Sequence, residues 1–195
     1  LKTFTDPVAL IEAPEFDAIM VCTPVTTHLD LVEQALLQGK HVFVEKPFGQ
    51  DPEKCTELCE IAETNKLSIM VGHVFLFNSS ILELKKIIDS GELGEIQHLE
   101  AHRTNLGPVR KDINAVWDLT SHDVSVFDFL LDSLPEAVNC VGSRRLDPNI
   151  EDTTYTTFRY PGAIIAHAHA SWLNPRKVRQ ITVVGSKKMA LWDDL

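Results

Sequence analysis

Asp118 and His122 stand four residues apart near the start of an apolar stretch that runs to about Leu131. On a helix, that spacing puts both side chains on one face, one turn apart. A carboxylate beside an imidazole can orient the ring, set its tautomer and raise its basicity. Such a pair is equipped to move a proton near neutral pH. Taken alone, the spacing reads rather as a surface Asp–His contact near a helix start. A second stretch far upstream, Val42-Phe43-Val44-Glu45-Lys46-Pro47, places a lysine at the end of an apolar strand. By itself Lys46 reads as a solvated strand-end charge.

Other chemistry-bearing side chains form smaller groups. Arg103, Arg110 and Lys111, then Arg176, Lys177 and Arg179, concentrate positive charge in a chain of net charge −10. They read either as solvated loop charges or as a clamp for a phosphate or carboxylate on a substrate. His167 and His169 alternate on one strand face. With an Asp–x₃–His helix elsewhere they have the ligand types for zinc, but such alternation more often marks a wet face or a subunit interface. The expectation is therefore no metal.

The elements that must hold these residues follow from the pattern of the chain. Asp6-Pro7 caps a helix to about Ala13, and Asp17–Cys22 is a continuous apolar run, expected to be a strand buried on both faces. Thr26 or Thr27 opens a helix to Gln38 that Gly39 ends. His41–Val44 is the next strand, Asp51-Pro52 starts a helix over Glu53–Asn65, and Leu67–Val71 is a third strand. Strands alternating with helices through short links predict βαβ units and a parallel sheet, with ligands at the carboxyl ends of its strands. After Gly72 the pattern changes. A helix capped by Asn78 or Ser79 leads into a strand over Ile96–Thr104, a loop from Asn105 to Ala115 and the Trp117 helix. Strands near Ala137–Arg145, Thr153–Tyr160, Ala163–Trp172 and Val178–Val184 and one ending at Leu195 predict a long antiparallel run. The fold class is thus α/β followed by α+β, with a boundary near residues 72–75.

The 195 residues, 44% hydrophobic and 24% charged, suit a globular protein with a core. An acidic chain without a basic stripe is not built for nucleic acid. No apolar run is long enough for a membrane helix, and the first residues have no signal-peptide layout. Cys22, Cys55, Cys59 and Cys140 form no C-x-x-C pair, so a reducing, cytoplasmic setting is expected. There is no G-x-G-x-x-G in the chain. The apolar first strand would be an exposed sheet edge, a hazard that more sheet removes. The expectation is that residues ahead of Leu1 supply that sheet and its glycine fingerprint.

Thr23-Pro24 with His28 after the first strand, Glu45-Lys46-Pro47 after the second, and Asp118 with His122 on a helix resemble the Gfo/Idh/MocA oxidoreductases, in order and in separation. Over the whole chain, the resemblance implies the second half of a Rossmann domain at 1–72. A substrate-binding and oligomerisation domain follows at 73–195, with a largely antiparallel open sheet covered by helices on one face and incomplete at its C-terminus. It implies NAD or NADP as cofactor, lined by Cys22, Thr23, Pro24, Thr27, His28, Glu45, Lys46 and Pro47, with a cis peptide bond before Pro47. It implies Lys46, Asp118 and His122 as catalytic residues, with His122 taking the proton of a secondary alcohol and Lys46 holding the developing alkoxide. Those two roles can be exchanged, since a partly buried lysine is itself a competent base. His73, Arg103, Asn105, Arg110, Lys111, Asp118, His122 and Arg176 become substrate contacts. Asn105-Leu106-Gly107-Pro108-Val109-Arg110-Lys111 looks most like sugar and nucleotide-sugar dehydrogenases, so the substrate is a sugar or nucleotide sugar.

The open sheet face suggests a homo-oligomer, a dimer or tetramer. Val25 replaces the Asn of many relatives, which removes a side-chain contact to the cofactor. Without the phosphate cradle, the isolated chain is expected to bind dinucleotide poorly and to be inactive. A non-catalytic sensor of sugars or dinucleotides, or a zinc hydrolase, are the rival readings.

Overall fold

The computed structural model describes residues 2–107 and 109–195, and the chain divides into two compact units, Leu1–Gly72 and His73–Leu195. Pro108, part of the segment likened to sugar dehydrogenases, lies outside the described residues. In the first unit, α1 (Pro7–Ile11) precedes β1 (Ala18–Val21), α2 (His28–Leu37), β2 (His41–Val44), α3 (Pro52–Thr64) and β3 (Ile69–Val71). The three strands form a parallel sheet in the order β1-β2-β3. Both proline-started helices are capped as their sequence predicts: Asp6 accepts from the Val8 N–H and Asp51 from the Lys54 N–H, each at 3.0 Å. Gly39 ends α2 at φ +71°, a conformation open to glycine at little cost. Thr27 does not cap α2 through its side chain; its hydroxyl donates to the Pro24 carbonyl instead, at 2.8 Å.

The first strand departs from expectation. Its burial alternates, with Ile19 and Val21 in the core and Met20 69% exposed. The reason is that Val32, Leu36 and Leu58 from α2 and α3 pack with Ile19, Val21, Val42 and Val44 in one cluster, on one side of the sheet. The strand is indeed an edge, but it is half-buried rather than buried on both faces.

The second unit contains α4 (Ser79–Asp89), β4 (Ile96–Leu106), a π-helical turn (Val116–Thr120) running into α5 (Ser121–Leu131), then β5 (Ala137–Ser143), β6 (Thr153–Arg159), β7 (Ile165–Ser171), β8 (Leu173–Gly185) and β9 (Met189–Asp193). The strands make one sheet in the order β5-β6-β7-β4-β8-β9. Every pairing is antiparallel except β4 with β7, which is parallel and interrupts the expected antiparallel run. Ile81 and Leu84 of α4 and Val126, Phe127 and Leu130 of α5 pack on Leu99, Ala101, Phe158, Ala166, Ala168, Ile181 and Val183 from one sheet face. Fully burying a Val, Leu, Ile or Phe side chain stabilises by roughly 1.5–3 kcal/mol.

The opposite face is open, with a groove of about 220 Å³ among Glu100, His102, Tyr155, Thr157, His167 and His169. His169 stacks on Tyr155 with centroids 4.3 Å apart, and His167 Nδ1 lies 3.0 Å from the Thr157 hydroxyl. Among the described residues, no three His, Cys, Asp or Glu side chains are grouped to hold a metal ion. None of the described helices is long and apolar enough to cross a membrane.

Candidate active site

In the parallel-sheet unit, the register pairs Val21 with Val44 and Val44 with Val71, so the strands end level with one another. The chain segments leaving β1 and β2 therefore start from one edge, where ligands bind in such sheets. The Glu45 N–H donates to the Val21 carbonyl at 2.9 Å, extending the β1–β2 ladder into the Glu45-Lys46-Pro47 turn. The Lys46–Pro47 peptide is cis. Gly72 lies close beneath this turn: a Cβ there would come within 3.1 Å of the Glu45 carboxylate and of the Phe43 ring. Cys22, Thr23, Pro24 and Thr27 are exposed, and the Thr23 and Thr27 hydroxyls share a hydrogen bond of 2.7 Å. Glu45 and Lys46 are half-buried and Pro47 is buried. Hydroxyls, an ammonium and a carboxylate on one sheet edge suit the sugar and phosphate groups of a dinucleotide.

His28 does not line this edge as the sequence implied. It is 1% exposed, with Nδ1 2.9 Å from the Pro47 carbonyl and Nε2 2.9 Å from the Thr23 carbonyl. The ring lies beneath the two turns and joins them to the start of α2.

In the second unit, Asp118 falls in the π-helical turn and His122 in the first turn of α5. The regular α-helix assumed for the pair is thus locally rewound, and π turns within helices occur often at functional sites. The Asp118 carboxylate is gripped on both oxygens. The buried Trp172 indole donates to Oδ2 at 3.1 Å, and a guanidinium nitrogen of Arg110 lies 3.7 Å from Oδ1. Trp172 is therefore an anchor for Asp118. Its signal was the alternation Ala166, Ala168, Ala170, Trp172, which continues the inward face of β7.

Arg110 is occupied as well. Its guanidinium meets Asp112 through two bonds, 2.9 Å to Oδ1 and 2.5 Å to Oδ2. These bonds hold the Asp112 carboxyl below the usual range and push Arg110 higher still. With its bonds made to Asp112 and its charge shared with Asp118, Arg110 is already engaged within the protein rather than held out as an anion clamp.

Arg103 is a clearer correction. It is a β4 residue only 4% exposed, not a loop charge, and it donates from Nε and Nη2 to Oδ1 of the buried Asp123, at 3.0 and 2.8 Å. A guanidinium so enclosed cannot reach a substrate. Burial pushes the Asp123 carboxyl up, and the charge and hydrogen bonds of Arg103 oppose that rise. The signal for Arg103 was again period-2 alternation, following Leu99 and Ala101 inward. Phe75 completes the group. Its ring meets His122 edge to face at 4.9 Å, lies under the Arg103 guanidinium at 4.6 Å, and meets Trp192 at 5.7 Å.

Asn105 ends up within β4, which runs two residues beyond its expected end, and its amide lies against Gly107. A Cβ at Gly107 would meet Asn105 Oδ1 at 2.7 Å. That buried oxygen has no hydrogen-bond partner among the described residues, so it is available to accept from a hydroxyl. His73 is half-buried, two residues before Phe75, while Lys111 and Arg176 are exposed. The structure thus groups Asp118, Arg110 and Trp172 directly, and His122 with Phe75 and Arg103.

Two sequence profiles match the chain. One, described as the GFO/IDH/MocA C-terminal domain, covers residues 81–191; the other, an oxidoreductase family with an NAD-binding Rossmann fold, covers residues 1–73. Inositol 2-dehydrogenase of Rhizobium meliloti is 30% identical over 149 residues, which are 74% of this chain and 45% of that protein. UDP-N-acetylglucosamine 3-dehydrogenase of Acidithiobacillus ferrooxidans is 32% identical over 129 residues, 66% of this chain and 40% of that protein. An inositol dehydrogenase homolog from Azotobacter vinelandii, solved with NADH and myo-inositol, matches with a TM-score of 0.88 at 25% identity. It covers 96% of this chain and 54% of that one. The chain spans about half the length of the curated relatives it matches. With most of each unit matched by its own profile, the chain belongs to the Gfo/Idh/MocA family of oxidoreductases.

Proposed function

We propose that this chain carries the reacting side chains of an NAD(P)-dependent dehydrogenase that acts on a secondary alcohol of a neutral, polyhydroxylated ring. When bound, the nicotinamide supplies the site that accepts or gives the hydride. Cys22, Thr23, Pro24, Thr27, Glu45, Lys46 and Pro47 would hold that dinucleotide, and the hydroxyls and ammonium on this edge fit it in kind. His122 takes the alcohol proton, and Asp118 sets the polarity beside it. Lys46, on the dinucleotide edge, would supply an ammonium for charge that develops in the transition state and not before it.

The observation that carries this reading is the setting of Asp118. Its carboxylate accepts a hydrogen bond from a buried indole N–H, with a guanidinium 3.7 Å from its other oxygen, and is thus oriented before substrate arrives, as electrostatic preorganisation requires. The engagement of Arg110 by Asp112 and Asp118 also favours a substrate without phosphate. On this reading an inositol-like polyol or a free sugar is preferred to a nucleotide sugar, the kind of substrate named for the Rhizobium relative rather than the Acidithiobacillus one. Asn105 Oδ1 and His73 serve its hydroxyls, and the open sheet face pairs with another copy of the chain.

The test, made with the residues expected ahead of Leu1 in place so that the dinucleotide can bind, is nicotinamide reduction with myo-inositol, free sugars and UDP-N-acetylglucosamine as alternative substrates. Turnover is expected with the neutral polyols, and Lys46→Ala and His122→Ala should each lower kcat by roughly 10²–10⁴-fold. Undiminished turnover in Lys46→Ala would refute its role, and preference for the UDP-sugar would refute the substrate class.

A further inference from the structure

His122 has to present its ring in one orientation, and the residue packed directly against that ring is Phe75. The two rings are 4.9 Å apart at 84°, the edge-to-face arrangement that aromatic quadrupoles favour. Phe75 is in turn held from two further directions. Trp192, from β9, meets it edge to face at 5.7 Å, and the Arg103 guanidinium lies over its ring at 4.6 Å. A desolvated cation over a ring is attracted to the π-face more strongly than an exposed one. Arg103 itself is fixed by Asp123, the residue next to His122 in the first turn of α5. The contacts therefore close a loop: His122 to Phe75, Phe75 to Arg103, Arg103 to Asp123, and Asp123 back to His122 through the backbone of the helix. In a closed loop of this kind the ring cannot swing without separating Phe75 from its cation or turning the helix against a buried ion pair.

We propose that Phe75 and the Arg103–Asp123 pair are positioning residues that hold the His122 imidazole in its working orientation. None of the three is required to touch substrate. Its catalytic consequence rests on the reading of His122 as the proton acceptor; the bracing itself is a property of this unit alone.

Two variants test it. Phe75→Leu removes the ring while keeping an apolar side chain of moderate size. The double variant Arg103→Met with Asp123→Leu removes the charged pair without stranding either member. Both are expected to lower kcat by roughly 10- to 100-fold, the scale of a small misplacement of a reacting group, while KM for the alcohol stays near wild type. Phe75→Tyr, which keeps the ring, is expected to restore kcat. In NMR spectra, the His122 ring protons should shift in Phe75→Leu as the neighbouring ring current is lost. If His122→Ala abolishes turnover but Phe75→Leu leaves kcat unchanged, the brace is refuted and the function stands. If His122→Ala leaves turnover intact, the functional reading fails, and the NMR shifts alone decide the brace; unmoved His122 ring signals would overturn it.

Discussion

Asp123→Ala should unfold the second unit far more readily than any surface substitution. The carboxylate is 1% exposed and accepts two hydrogen bonds from Arg103, which is 4% exposed. Removing it leaves a guanidinium enclosed by protein with neither counter-charge nor acceptor. Breaking a buried pair from one side costs about 3–5 kcal/mol, because the surviving charge stays desolvated. At roughly 2–4 °C per kcal/mol for a chain of this size, the melting temperature should fall by about 6–20 °C. The contrast is Glu83→Ala, which removes one partner of the exposed Lys86–Glu83 pair and should change nothing measurable. Urea unfolding followed by tryptophan fluorescence suits the measurement, since Trp117, Trp172 and Trp192 all lie in this unit. The decisive control is the double variant Arg103→Met with Asp123→Leu, which replaces the pair by apolar side chains. Such exchanges are often neutral or stabilising, so most of the lost stability should return. A loss under about 1 kcal/mol for Asp123→Ala would mean that the pair behaves as an exposed one, and would refute the argument. A double variant as unstable as the single one would show that packing, not a stranded charge, sets the cost.

Two more outcomes follow from the same site. Trp172→Phe keeps most of the ring but deletes the N–H that Asp118 accepts. Hydrogen bonds to charged groups are worth about 1.5–3 kcal/mol, so kcat should fall by about tenfold or more with the fold retained by circular dichroism; unchanged kcat would sever Trp172 from the site. The Asp112 carboxyl, held low by its bonds to Arg110, contributes stability that is complete above the ordinary aspartate value near ~4 and is lost as pH falls through its lower folded value. Thermal unfolding across that acid range should therefore show a loss of stability that Asp112→Asn lessens, and identical slopes in the two proteins would sink the assignment.

How much of this was legible in the sequence depends on how far apart the interacting residues are. Local signals read correctly: Asp51-Pro52 starts a helix because the carboxylate caps its N–H groups, and Gly39 stops a helix at positive φ. The His41–Val44 strand and the parallel order around it follow from short apolar runs separated by helices. What could not be read locally is whether an apolar run has one covered face or two, since that is decided by neighbours in space, as exposed Met20 shows.

The same limit explains why the partners of Arg103 and Trp172 were not legible. Arg103 meets Asp123 and Trp172 meets Asp118 only because β7 lies parallel to β4, with Arg103 opposite Ala170 and Thr104 opposite Ser171. That pairing sets the two inward-facing strand ends side by side under the π-helical turn and the start of α5. No local propensity specifies such a register, but the alternation along each strand does record which face each residue takes. Leu99, Ala101 and Arg103 share one face, as do Ala166, Ala168 and Ala170, with Trp172 next in step. A charged or donor-bearing side chain that continues an inward apolar series must find its partner inside the fold, because an unpaired buried polar group is too costly to keep. For Arg103 that partner had to be a carboxylate, and a helix carrying Asp118, Asp123 and Asp128 was the place to seek it. Period-2 alternation, applied to charged residues as strictly as to apolar ones, therefore separates the arginine that braces this site from those that face solvent.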